Sequence, residues 1–481
     1  MHTKGRAGWW SVLVLTLSAC SGASGPPTVS AEARQNVMVI DEGFDLSAPE
    51  LAGKVIASYG VQCPETPDDS DPGQLDPGAA PATFEERKQQ YLAQLAAPRP
   101  SCHLVADAIA PKPAPLAAIA AYRSRWNAML RGQKYANDVF TYDEWQTIEA
   151  ALDVEFQDFA YHGTATAGVV AHANGGVRLV LVERQLGAPG SWGESFTCLV
   201  QSDIDQSTAL LVDPEVRAAY LVAPASAYRD EFNAIVSQYN VGVVNESFGG
   251  PPRIVLEQLQ LAKGCPNAVS LAAYFAAANE LSHAWDTAHG AVPPYVWTQS
   301  AGNDGVQLDS ANDSGNCTGP DQRHLLVGST DLIGARSAFS DFGACVDVYA
   351  PGENVIAPYA GGWIFPLNGT SFAAPLTARL VSLTPISPYE AGAAWQRVID
   401  QRDATRTIAT SKFPRDFFYA PSGFTAASTA ALTSGPTIAQ PASVGARPDL
   451  NGARDLRRID WYQPTLWPLR ALLRERTRGA Q

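Results

Sequence analysis

The chain runs to 481 residues, 46% hydrophobic and 17% charged, and carries a formal net charge of −14. That balance is globular, with length for a large core, and the negative charge argues against a nucleic-acid partner. Past the N-terminus no apolar run reaches the roughly 18 residues of a membrane span; the closest, 268–278, meets Asn279 and Glu280 and reads as a buried helix.

The first 19 residues read as an export signal: Lys4 and Arg6 precede an apolar run, 9–17, too short to cross a bilayer. The run closes on Leu-Ser-Ala-Cys at 17–20, which resembles a bacterial lipobox. That resemblance implies that Cys20 is diacylated and becomes the first residue of the mature chain. Ser21, in place of Asp, then points by the same resemblance to an outer-membrane lipoprotein; plain secretion is the alternative. Residues 20–35, rich in Ser, Gly, Pro and Ala, read as a tether.

An apolar strand ending in an acid follows, Val-Met-Val-Ile-Asp-Glu-Gly at 37–43. Residues from about 61 to 154 read as an insertion. It opens with a Pro- and Asp-rich loop at 64–81, where Asp68, Asp69 and Asp71 suit a solvated acidic loop better than structural calcium. Thr83-Phe-Glu-Glu86 is a capping box and predicts a helix that stops before Pro98. Leu116, Ile119, Trp126 and Leu130 fall at helical spacing, with Gly132 as the stop. Thr141-Tyr-Asp-Glu144 opens a third helix.

His-Gly-Thr-Ala-Thr-Ala-Gly stands at 162–168, and a strand at 241–244 leads into Asn-Glu-Ser-Phe-Gly-Gly at 245–250. Ser-Ala-Gly-Asn-Asp-Gly occupies 300–305, and Asn-Gly-Thr-Ser-Phe-Ala-Ala-Pro occupies 368–375. A serine hydroxyl is a weak nucleophile and needs a base within hydrogen-bond reach. His162 is the candidate base for Ser371, and Asp41 would set its tautomer and stabilise the imidazolium. Ser371 at a helix start places backbone N–H groups where negative charge develops, and the Asn303 amide would give the oxyanion a second donor.

In the order Asp41, His162, Asn303, Ser371, these segments resemble the subtilase family, serine endopeptidases of the subtilisin type. The resemblance covers roughly 36–60 and 155–380, and includes 337–352, Ser-Ala-Phe-Ser-Asp-Phe-Gly-Ala-Cys-Val-Asp-Val-Tyr-Ala-Pro-Gly. It implies an α/β fold, a mainly parallel sheet with helices on both faces, over a peptidase domain at 36–383 with a C-terminal extension at 384–481. It implies peptide-bond hydrolysis through an acyl-enzyme, with no cofactor in the chemistry. Substrate backbone would lie along Ser247, Phe248, Gly249 and Gly250, and along Ser300, Ala301 and Gly302. Three departures stand out. Glu42 replaces the usual Thr, Ala165 replaces a second His, and Leu376, Thr377, Ala378 and Arg379 replace His-Val-Ala-Gly. An inward Glu42 would raise the pKa of His162; an outward one would not.

Seven cysteines less Cys20 leave six. Cys317 and Cys345 resemble a disulfide of some proteinase-K-like subtilases. Cys63 and Cys102 share the insertion, which leaves Cys198 for Cys265. No Cys-x-x-Cys or zinc-ligand spacing occurs. His2, His103, His172, His283, His289 and His324 read as surface or packing residues. The interval from Cys20 to Asp41 is short for the folding propeptide that many members carry. The chain is therefore expected to fold unaided, to use the 61–154 insertion for that work, or to need no zymogen. The tail after 383 is rich in Pro, Ala, Ser and Thr and ends in a basic segment, 466–478, that suits an amphipathic helix on the domain or at an anionic surface. Two rivals stand beside the endopeptidase: a silent lipoprotein that binds through the subtilase groove, and a transpeptidase or cyclase on the same acyl-enzyme.

Overall fold

The computed structural model describes residues 36–62, 83–96, 102–109, 116–132, 139–158, 161–172, 174–184, 198–223, 227–248, 253–262, 264–288, 295–308, 323–331 and 334–383. Its centre is an eight-stranded sheet in the order β10-β8-β6-β5-β1-β4-β2-β3. The strands are β1 (Asn36–Asp41), β2 (Val55–Gln62), β3 (His103–Ala106), β4 (Leu179–Glu183), β5 (Val241–Glu246), β6 (Val296–Ser300), β8 (His324–Thr330) and β10 (Val348–Pro351), while β7 (Gln307–Leu308) and β9 (Phe342–Gly343) pair with each other apart from this sheet. Every pairing is parallel except β2 with β3.

A parallel strand covered on both faces is apolar at every position rather than alternating. β1 shows the reason residue by residue. Val37 and Val39 belong to the core under α4 (His162–Ala171) and α10 (Thr370–Ser382). Met38 and Ile40 belong to a second core, with Phe232, Ile235 and Val236 of α7 (Ala227–Gln238). Side chains alternate along a strand, so one apolar run feeds two cores. The fold is therefore α/β, a mainly parallel sheet between helical layers.

A third cluster joins α1 (Phe84–Ala96) to α5 (Gln201–Val212), α6 (Pro214–Val222) and α9 (Ala272–Ala288). Cys198 and Cys265 are disulfide-bonded beside it. The apolar run at 268–278 differs from expectation: α9 starts at Ala272 and continues through Asn279 and Glu280 to Ala288. Those polar residues lie on its outer side, where Glu280 pairs with Arg217 at 2.8 Å. Among the described residues no helix is long and apolar enough to cross a membrane.

The insertion is not a separate helical appendage. Its first helix, α1, packs in the third cluster, and Lys88 reaches Asp213, which caps α6, and Glu215 within it. Its residues 103–106 form β3, an antiparallel edge of the main sheet. Its later part enters the main core through Ile119, Trp126, Met129 and Ile148. Both capping boxes form: Thr83 N–H donates to Glu86 Oε2 at 2.7 Å, and Thr141 N–H to Glu144 Oε2 at 2.9 Å. The helix expected over 116–131 is split into a 3-10 turn, Ala117–Tyr122, and α2 (Arg123–Gly132). Leu116 stands just before the turn in the left-handed region at φ 55°, and both it and Ile119 within the turn are buried.

α2 braces the hairpin of β11 (Val355–Pro358) and β12 (Ile364–Leu367), which leads directly into α10. Trp126 Nε1–H donates to the Ile364 carbonyl at 2.9 Å, and its ring meets Trp145, Trp363 and Phe365. Asn127 grips the same turn twice, donating to Gly362 O at 2.8 Å and accepting from Ile364 N–H at 3.2 Å. Trp126→Ala should cost about 3–5 kcal/mol through the cavity it leaves. Denaturant unfolding of the two proteins measures it, and a cost under about 1 kcal/mol would show that the brace carries no weight.

Candidate active site

Strands β1, β5 and β6 are adjacent and parallel, so their carboxyl ends open at the same edge. From β1 the strands advance in chain order on one side, β5, β6, β8 and β10, while β4, β2 and β3 lie on the other; such sheets bind ligands beyond the strand ends where the order changes direction. Asp41 ends β1, Ser247 follows β5, and Ser300 ends β6.

Asp41 is buried, and its carboxyl has three donors. Oδ1 accepts from Glu42 N–H at 2.7 Å and from His162 Nδ1 at 2.6 Å. Oδ2 accepts from Thr166 Oγ1 at 3.0 Å. A carboxylate can only accept, so the imidazole carries its proton on Nδ1 and turns Nε2 outward as the basic nitrogen.

His162 is the first residue of α4, whose start is tied to the loop after β1. Gly163 N–H donates to Glu42 O at 2.6 Å, and Thr164 N–H to Gly43 O at 3.0 Å. A Cβ on Gly163 would stand 2.9 Å from that Glu42 oxygen and from the Phe44 ring, so glycine is what allows the approach. All ten residues of α4 are buried, and Ala165 fits where a histidine would need space and partners.

Ser371 is the second residue of α10, and its hydroxyl donates to the Ser247 carbonyl at 3.0 Å. The neighbouring Phe372 ring packs against His162, with centroids 5.9 Å apart. Asn303 docks on the same helix start: its Oδ1 accepts from Thr370 N–H at 2.8 Å and Thr370 Oγ1 at 3.0 Å. With Oδ1 so engaged, Nδ2 is the end directed to other acceptors. Asp41, His162, Asn303 and Ser371 are thus brought to one edge. Leu376, Thr377, Ala378 and Arg379 continue α10 as buried residues.

Ser247 and Phe248 are buried at the end of β5, and Asn245 Nδ2 donates to Ser247 Oγ at 3.0 Å. The Arg184 guanidinium lies 4.9 Å from the centre of the Phe248 ring. Ala301 N–H donates to Val327 O at 2.9 Å, and Gly302 N–H to Thr370 Oγ1 at 3.2 Å, fixing the β6 side. Gly249, Gly250, Cys20, Cys63, Cys317, Asp68, Asp69 and Asp71 lie outside the described residues. Cys102 and Cys345 are each disulfide-bonded. Among the described residues no group of three His, Cys, Asp or Glu is placed to hold a metal.

Four polar residues of the site were given no role by the sequence. Glu183, paired in register with Asp41, is buried and accepts Gly43 N–H at 3.1 Å. Gln299 Nε2 donates to Phe248 O at 3.2 Å, while its Oε1 meets His324 Nε2 at 3.0 Å. Complete burial pushes the His324 imidazole down to about 4, so it is neutral, and Nε2–H is the donor. Asp341 is held under the Asn303 loop. Its Oδ1 accepts from Asp304 N–H at 3.1 Å and Val306 N–H at 2.9 Å. Gly302, at φ +116°, leaves room for it; a Cβ there would lie 2.2 Å from Asp341 Oδ2. Burial, then the nearby charge of Asp304, pushes the Asp341 carboxyl well above the ordinary range, against the pull of its amide donors.

The sequence model of the subtilase family matches residues 34–386. The subtilisin-like serine protease Pen ch 13.0101 of Penicillium rubens is 39% identical over 101 residues, 21% of this chain and 22% of that protein. The alkaline serine protease ver112 of Corniculantispora psalliotae is 35% identical over 113 residues, 23% of this chain and 28% of that one. The chain thus spans about a quarter of the length of these relatives. A crystal structure of a cold adapted subtilisin-like serine proteinase overlays at TM-score 0.30 and 21% identity, covering 52% of this chain and 70% of that one. The PatG macrocyclase domain overlays at TM-score 0.37 and 14% identity, covering 81% and 90%. Neither overlay bears on mechanism.

The raised pKa of Asp341 makes a stability statement. The folded state keeps a proton that an unfolded aspartate releases above about pH 4, so this group's favourable contribution is lost as pH rises from there toward the folded pKa. Asp341→Asn keeps an oxygen for the two amides and removes the titration. Its stability relative to the parent should be flat below about pH 4, rise at up to about 1.4 kcal/mol per pH unit between there and the folded pKa, and level off beyond it. Denaturant unfolding from pH 3 to 8 measures this; a pH-independent difference would show that Asp341 is ionised when folded.

Proposed function

This chain belongs to the subtilase family, and on that premise we propose that it is an exported serine endopeptidase acting through an acyl-enzyme. The observation that carries the proposal is the 2.6 Å pairing of Asp41 with His162, beside a helix start that bears Ser371 and docks Asn303.

In this reading Ser371 Oγ turns from the Ser247 carbonyl to His162 Nε2 when a peptide enters, a small side-chain rotation. Oγ attacks the scissile carbonyl carbon as Nε2 takes its proton, and Asp41 stabilises the imidazolium. The carbonyl π-pair moves onto oxygen, and the oxyanion receives hydrogen bonds from Asn303 Nδ2 and the Ser371 backbone N–H. Collapse breaks the C–N bond, and His162 gives its proton to the leaving amine. Water then attacks the acyl-enzyme with His162 again as base, releasing a carboxylic acid and restoring Ser371.

The substrate is a protein or peptide chain. It lies along Ser247, Phe248, Gly249 and Gly250 on one side and Ser300, Ala301 and Gly302 on the other. Gln299 occupies the Phe248 carbonyl, which supports substrate pairing through its neighbours instead. The chemistry uses side chains alone, without a cofactor. We assign 36–383 to the peptidase domain, and the Cys317–Cys345 and Cys63–Cys102 pairings are part of the same reading. We also place the protein in a bacterial cell envelope, anchored through lipidated Cys20.

Ser371→Ala should abolish peptidase activity and fluorophosphonate labelling, with a loss in kcat of about 10⁴–10⁶, a magnitude carried over from subtilisin. Asn303→Ala should lower kcat by about 10²–10³ with KM nearly unchanged, again a subtilisin magnitude, because its partner charge exists only in the transition state. Turnover retained by purified Ser371→Ala would refute the assignment. For the anchor, metabolic labelling with an alkyne fatty acid should mark the parent and not Cys20→Ser; labelling of neither would leave plain secretion.

A further inference from the structure

Asp41 offers four lone-pair directions in a buried site, and the donors to them decide where its carboxyl plane points. Two donors share Oδ1, Glu42 N–H at 2.7 Å and His162 Nδ1 at 2.6 Å. On Oδ2 the donor is a side chain, Thr166 Oγ1 at 3.0 Å. Thr166 is completely buried and stands four residues after His162, on the same face of α4. Imidazole and hydroxyl therefore come from one rigid element and grip the two oxygens of one carboxyl.

Thr166 Oγ1 also lies 3.1 Å from the Gly163 carbonyl one turn back. The single hydroxyl hydrogen serves one acceptor at a time, and a hydrogen bond to an ionised carboxylate is roughly twice as strong as one to a neutral carbonyl. Valine has the same branched outline and would fill the same volume. The hydroxyl is thus surplus to packing and fitted to the carboxyl.

We propose that Thr166 is a positioning residue of the peptidase reaction: its hydroxyl clamps Asp41 Oδ2, holding the carboxyl in the plane of the His162 imidazole. The inference rests on the serine-peptidase reading above. Thr166 touches neither substrate nor the reacting atoms; it acts through Asp41. Without the clamp the carboxyl can twist about its Oδ1 contacts, and fewer turnovers find Nε2 aimed at Ser371. The clamp also draws charge from the carboxylate. Its loss tightens the hold of Asp41 on the imidazolium, so His162 would keep its proton to higher pH.

Other charged groups surround the pair and stay fixed in the test. Glu42 follows Asp41, Glu183 faces it from β4 with Oε1 on Gly43 N–H, Arg184 after β4 donates its backbone N–H to Asp41 O at 3.0 Å and turns its guanidinium over the Phe248 ring, and Glu246 pairs with Ile40 from β5. On the α10 side the neighbours are the uncharged Ser371 and Phe372.

The experiment measures kcat and KM against pH for the parent, Thr166→Val, Thr166→Ser and Ser371→Ala in the full chain. Thr166→Val should lower kcat about tenfold with KM within about twofold, and move the acid limb of kcat/KM upward by about half to one pH unit. Thr166→Ser should restore both. A folded Thr166→Val with the parent's kcat and acid limb would overturn the proposal and leave Thr166 a packing residue. So would a lowered kcat with an unmoved limb and no rescue by serine. Should valine prevent folding, Thr166→Ala removes the same hydroxyl and must show the same shift. Turnover in Ser371→Ala would instead refute the underlying peptidase reading. An inactive Ser371→Ala beside an unaffected Thr166→Val removes Thr166 alone.

Discussion

Two helix starts must come down onto the carboxyl ends of three buried parallel strands, and every feature of the site depends on how closely they do so. α4 meets the loop after β1 through Gly163, where any side chain would strike Glu42 O and Phe44. Further along α4, Gly168 rests on Pro358 of β11, 2.8 Å from where its Cβ would stand. At α10, Gly369 takes φ +153° and donates to Gly352 O, setting the turn into Thr370 and Ser371. Small residues at these points convert helix packing into the 2.6 Å contact between Asp41 and His162.

Such closeness excludes water, so buried polar groups must be paired by the protein itself. The site answers with chains of side chains rather than isolated bonds. His324 supports Gln299, which supports the Phe248 carbonyl. Asp341 gathers two amides of the turn that follows Asn303, and Thr370 holds Asn303 from the other side. Each chain ends on a residue of the candidate substrate edge or oxyanion loop. Low dielectric makes these bonds stiff, and stiffness is what a preorganised site requires.

The residues between Asp41 and His162 are built into this frame. α1 extends a distant helical layer, β3 extends the sheet, and α2 grips the hairpin that delivers Ser371. Arg123 reaches Gly361 O, and Asp45, from the loop after β1, accepts Gly361 N–H at 2.7 Å. The hairpin is therefore tied both to the additional segment and to the strand that ends in Asp41.

Much of the site was legible in the sequence because its signals are local. Asp41 closes an apolar run, and Thr83 with Glu86 writes its own cap. Each depends on residues a few positions apart, and so does the family resemblance that linked Ser371 to His162. The α/β layering was implied by that same resemblance rather than read from any single segment. What sequence order could not show were partnerships over long separations. Thr166 on Asp41, Gln299 between His324 and Phe248, Asp341 beneath Gly302, and Trp126 against Ile364 have no fixed spacing and no distinctive residue type. The split of the 61–154 segment among two helical layers and a sheet edge is of the same kind. Local propensity selects the helix or strand, while the surface it buries against is chosen only when the whole chain closes around a dry interior.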